Sequence, residues 1–165
     1  MIYVTSPLAS EDQALLFLDG WIALAMSDPY RVDWRLPDGS WRRGRALPFV
    51  PVRVTQREKC FAVARLTQRS VCDELPGWPD VIPAFATSLL IPVLRATPEG
   101  HVVIARTPTA DAPGHRYDVV NRTGQLIGVL ALSPNETLIG FGARSAYVVE
   151  TDDDGVQTVR RHPWP

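Results

Sequence analysis

The densest run of chemistry-bearing side chains is "TDDDG", Thr151–Gly155. Clustered carboxylates offer hard oxygen ligands of the kind that hold Ca²⁺. A Ca²⁺ loop, however, alternates its acidic positions and closes on a distant Glu, and this run does neither. Its plainer reading is a hairpin turn with solvated charges. The three histidines are His101, His115 and His162. His101 and His115 flank the second strand of one predicted sheet, so they are expected to approach each other across its end. Zinc binding or nucleophilic catalysis would need a third ligand or a partner nucleophile. The spacing supplies neither, and surface or turn-edge histidines are the favoured reading.

Cys60 and Cys72 have no metal-ligand spacing and no histidine companions. Two free, partly buried thiols are expected in preference to one disulfide. Trp21, Trp34, Trp41, Tyr30, Tyr117 and Tyr147 could line a ligand groove, but they begin or lie within predicted strands, where packing uses the same residue types. Arg31, Arg35, Arg42, Arg43 and Arg45 read as a basic outer edge, a common guard against edge-to-edge aggregation. The motifs GxSxG and HExxH, a P-loop and a dinucleotide glycine fingerprint are all missing from the sequence.

The elements that would position such residues follow from composition and punctuation. The chain of 165 residues is 45% hydrophobic and 21% charged, the proportions of one globular domain. A net charge of −1 leaves no cationic surplus for phosphates, so no nucleic-acid partner is expected. Fifteen prolines, about twice ordinary usage, predict short elements and many turns. "MIYVTSPLASED" has neither a basic segment nor a long apolar stretch, which argues against a signal peptide or membrane anchor, and no membrane partner is expected.

Asp19-Gly20, Ser27-Asp28-Pro29 and Pro37-Asp38-Gly39 divide residues 13–48 into four short strands. Pro98-Glu99-Gly100 and Asn121–Gly124 do the same for residues 88–133, and Asp152–Gly155 for residues 137–165. Three rounds of similar length predict an all-β chain of about three antiparallel meanders. Between the first two rounds lie residues 49–87. There Thr55 and Glu58 make a capping box for a helix over 55–72, whose buried face is predicted to carry Phe61, Ala64, Leu66, Val71, Cys72 and Leu75. "PGWPDVIPAF" is then too proline-rich for regular structure and reads as a rigid connector.

The segments "NRTG", "LIGVLALS", "GFGARSAYVV", "TDDDG" and "VQTVRRHPWP", with "YRVDWRLPDGSWRRG" earlier, resemble the blades of bacterial six-bladed β-propellers of the NHL and TolB-like group. The resemblance covers about Gln13–Pro165 and implies a single partial propeller domain over residues 1–165, equivalent to a C-terminal half. It implies either a homodimer or missing N-terminal blades, a fourth strand for the last blade taken from Met1–Thr5, and a periplasmic or extracellular setting. Some six-bladed relatives are hydrolases of the lactonase kind, with a metal held by carboxylates and an amide at the channel mouth. Glu99, Asp118 and Asn121 are the residues that could be nominated for it, although Asp118 and Asn121 are expected toward the periphery. No catalytic, cofactor or metal residue is therefore assigned. The expected function is a non-enzymatic propeller scaffold or binding module for a protein, peptide or glycan, and the alternative is a metal-dependent hydrolase.

Overall fold

A computed structural model describes residues 8–67, 77–87 and 92–164. The chain is mostly β. Strands β1 (Gln13–Leu16), β2 (Ile22–Ser27), β3 (Tyr30–Arg35) and β4 (Trp41–Arg42) form a first antiparallel sheet in chain order. Strand β5 (Val52–Arg53), helix α1 (Gln56–Thr67) and strand β6 (Val81–Ile82) follow, and β5 pairs with β6. A middle sheet contains β7 (Leu94–Ala96), β8 (Val102–Ala105), β9 (His115–Val120) and β10 (Leu126–Leu132). Among the described residues the last sheet has three strands, β11 (Glu136–Gly142), β12 (Ser145–Thr151) and β13 (Gln157–Pro163). The three expected rounds are thus present as three separate meanders, and the described sheets do not close into a ring.

One turn recurs five times, at residues 17–21, 36–40, 97–101, 121–125 and 152–156. In each, the first residue's N–H donates to the fifth residue's carbonyl, and a glycine at the fourth position donates back to the first. This is the three-residue hairpin closed by a left-handed residue at its bulge. At Gly124 the requirement is doubled: φ is +75°, and an added Cβ would lie 2.5 Å from the Cα of Gly44. The five predicted Gly-containing turns are therefore one device used repeatedly, which is why the patterning was legible.

Strand alternation determines how the sheets stack. On β8 and β9, Val102, Ile104 and Val120 face the first sheet, where they join Ala23, Ala25, Val32 and Trp34 in one apolar cluster. Val103, Tyr117 and Val119 face the other way, onto Leu138, Ala146 and Val148 of the last sheet. The middle sheet is thus covered on both faces. Each fully buried valine or isoleucine there contributes about 1.5–3 kcal/mol relative to exposure. The outer faces of the stack are open: Leu16 is 70% exposed on the first sheet, and Val159 is 62% exposed on the last.

Several expectations need correction. The fourth strand, read from "SWRRGRAL", stops at Arg42 because Gly44 packs directly on the carbonyl of Val32 and its N–H donates to Asp33 Oδ1 at 3.0 Å. The proline-rich connector is not merely a spacer, since it provides β6 and puts Ala84 and Phe85 into the first core cluster. Helix α1 buries Ala62 against Ile82 and Leu8 and also buries Val63, while Ala64 is exposed. Thr55 Oγ1 accepts from Glu58 N–H at 3.4 Å, but the Glu58 carboxylate reaches away to Ala110 N–H at 2.9 Å instead of back to the helix start. Cys60 is disulfide-bonded, contrary to the free thiol expected. The predicted Val71, Cys72, Leu75 and Met1–Thr5 lie outside the described residues.

Candidate functional site

The 106–114 segment between β8 and β9 is held from two sides. Helix α1 grips it through Glu58 on Ala110 N–H, through Arg57 on Asp111 at 2.6 Å and through Arg65 Nη1 on the Pro113 carbonyl at 3.1 Å. The proline-rich connector grips it through Thr107 N–H, which donates to the Ala84 carbonyl at 3.1 Å. Beneath this segment lies the most deeply buried charge among the described residues. Asp118 follows Tyr117 on β9, and alternation turns its side chain toward the first sheet, where it is fully buried.

An isolated buried carboxylate is very costly and persists only when paired and hydrogen-bonded. Here three donors converge on it. Arg106 Nη1 donates to Oδ2 at 2.7 Å, Tyr30 Oη donates to the same oxygen at 2.9 Å, and Arg116 Nε donates to Oδ1 at 3.1 Å. Arg106 is fixed further by Nε donating to the Ala84 carbonyl at 2.9 Å, and its guanidinium lies 4.7 Å over the Tyr30 ring and 5.1 Å from that of Phe49. Burial, and then the charge of Asp118, push the Tyr30 phenol far above its ordinary pKa, so it is a permanent donor and not a base.

Above this floor opens a hollow of about 500 Å³, lined among others by Phe49, Arg106, Thr107, His115, Arg116 and Leu132. His115 Nε2 lies 3.1 Å from Arg65 Nη2, and its ring stacks on Tyr117 at 6.3 Å. Burial, and then the Arg65 charge, hold His115 below the ordinary imidazole range. Neutral near pH 7, it accepts from Arg65 through Nε2. One carboxylate faces two guanidiniums at the hollow, so the site carries a residual positive charge. A second hollow of about 640 Å³ lies beside β5 and β6, where Lys59 sits 5.9 Å over Trp78.

The residues nominated from sequence fall in different places. Asp118 lies on β9, the third of the four strands of the middle sheet in chain order, and is fully buried there. Asn121 is occupied within its own turn, with Oδ1 accepting from Thr123 N–H and Gln125 N–H, each at 3.0 Å. Asp152 does the same in "TDDDG", accepting from Asp154 and Val156 N–H. Glu99 is exposed in another turn. Among the described residues no three His, Cys, Asp or Glu side chains gather as a metal-binding group.

His101 and His115 lie at opposite ends of the middle sheet, since Val102 pairs with Val120 and Ala105 with Tyr117. Of the proposed basic edge, Arg31 is buried and paired with Asp33 at 3.0 Å. Tyr30, Trp34 and Tyr117 are core residues as expected, whereas Trp41 is exposed. The pairing of Arg106 and Arg116 on Asp118 was missed. Its signal was "RYDVV", where an aspartate interrupts an otherwise apolar interior strand and shares a face with the arginine two positions earlier. Compared with known protein families, curated proteins and solved structures, the chain matches none of them.

Proposed function

We propose that this chain is a non-enzymatic binding module of β-propeller type, in which the hollow over Asp118 receives the ligand. The observation that carries this reading is the fixed donor surface at that hollow. Arg106 and Arg116 are locked by a buried carboxylate, Arg106 also by two aromatic rings, and such rigidity favours recognition because little side-chain freedom is lost on binding. Three consecutive meanders stacked face to face support the propeller assignment, since successive blades pack in this manner.

The same reading has a second copy of the chain covering the open outer faces. Each chain exposes apolar side chains on its outer sheets, Leu16 on the first and Val159 on the last, and two copies meeting through these faces would cover them. Sedimentation is expected to give a dimer; a monodisperse monomer removes this part of the reading. Metal analysis of the purified protein tests the non-enzymatic part. No stoichiometric metal is expected, and tightly bound Ca²⁺ or Zn²⁺ at one per chain would favour the metal-dependent hydrolase instead.

A further inference from the structure

We infer that the hollow over Asp118 selects small organic carboxylates with an apolar body, an assignment of ligand class that rests on the binding-module reading above. Three features of the site lead to this class. Charge comes first: Asp118 has two oxygens, one taken by Arg116 and the other shared by Arg106 and Tyr30, so a single negative charge is set against two positive ones. Arg65 adds a further cation beside His115 at the rim.

Donor geometry comes second. Each guanidinium presents five N–H donors. Among the described residues Arg106 commits Nε and one Nη1 hydrogen, and Arg116 commits Nε alone. The Arg116 side chain is 51% exposed, against 13% for Arg106. Arg116 lines the hollow, anchored by Asp118 through Nε, with its Nη groups uncommitted among the described residues. A planar fork held in this way matches a carboxylate through two parallel hydrogen bonds. Thr107, in the wall, has its hydroxyl buried without a hydrogen-bond partner among the described residues, an unmet need that a ligand oxygen can satisfy.

The remaining wall decides the body. Phe49, Leu132 and the exposed Val50 and Ala131 give the open hollow an apolar wall, and its volume of about 500 Å³ lies in the range of small-ligand sites. Acetate alone would leave that surface wet. An anion carrying an aryl or branched alkyl group fills it.

The test uses phenylacetate, its neutral isostere phenylacetamide, and acetate, each titrated by calorimetry and by NMR into the full chain. Phenylacetate is expected to bind at about millimolar affinity or better, and each of the other two about tenfold more weakly. Arg116→Gln keeps an N–H donor for Asp118, so the variant is expected to retain its fold. It should lose about tenfold for phenylacetate while leaving phenylacetamide unchanged, and Arg116→Lys should fall between. Equal binding of acid and amide overturns the carboxylate assignment while leaving the binding-module reading intact. No binding of phenylacetate up to about 10 mM, or an unchanged affinity in Arg116→Gln, also overturns it. Stoichiometric metal, by contrast, would defeat the module reading without touching the preference of acid over amide.

Discussion

At each of the two strand-end edges of the stacked sheets an arginine lies over aromatic rings, yet the two arginines have different surroundings. At the end formed by turns 17–21, 97–101 and 121–125, Arg122 lies 4.8 Å from the Trp21 ring and 5.5 Å from that of Phe17. It pairs with Asp19 at 2.6 Å and donates through Nε to the Gly100 carbonyl at 3.2 Å. Trp34 Nε1 donates to the Asn121 carbonyl alongside, and Gly124 meets Gly44 backbone to backbone. That end is closed by contact. At the opposite end Arg106 is bound to a fully buried carboxylate, and the chain above it is a proline-containing loop propped by helix α1. Backbone cannot settle onto a buried ion pair as it settles onto a pair of glycines, so a hollow remains. The carboxylate's surroundings, more than the arginine itself, separate the sealed end from the end that keeps a hollow.

Substitution can break or sharpen this contrast. Asp118→Ala leaves two guanidiniums and a phenol without their common acceptor and should destabilise by about 3–5 kcal/mol in chemical denaturation. If its cost is no larger than that of Arg122→Ala, the two ends are not distinct. Gly124→Ala forces a Cβ onto the Gly44 backbone at positive φ, with an expected loss of about 1–3 kcal/mol. It should leave phenylacetate affinity unchanged, since it alters only the sealed end. Arg122→Ala removes a half-exposed pair and two ring contacts, and should cost only about 1–2 kcal/mol after allowing for solvent screening.

The smallest effect concerns pH. His115 has a folded-state pKa below its unfolded value, because burial and Arg65 disfavour the imidazolium. The unfolded chain therefore binds the extra proton first. Stability from this group is complete above the ordinary imidazole pKa of about 6.5 and declines as pH falls below it, levelling off under the folded pKa. Thermal denaturation between about pH 7 and pH 5 should show a shallower decline for His115→Asn than for the parent. A steeper one would reverse the sign.

The meanders were legible because a repeated turn leaves a repeated mark: an Asp, Glu, Asn or Thr near a Gly, between alternating apolar runs. Every such turn has local hydrogen bonds, so sequence neighbours suffice to specify it. The site was not legible for the converse reason. Arg106, Tyr30 and Asp118 are brought together by the packing of one sheet on another, and no short-range pattern encodes which face meets which. Asn121 and Asp152 carry oxygens chemically suited to a metal, yet both tie their own turns, in keeping with the hairpin reading of "TDDDG". Glu58 was read correctly as part of a helix start, but its carboxylate serves a segment some fifty residues downstream.

The sheet topology also bears on how the chain folds. Within each of the three stacked meanders every ladder joins strands consecutive in sequence, with no crossover. Their tight turns mean that most pairings close loops of only a few residues, at small entropic cost. An all-β chain is ordinarily slow to fold because distant segments must find one another. Here each sheet can form from its own stretch of chain, leaving docking of finished sheets, through Trp34 on one side and Leu138 on the other, as the long-range step.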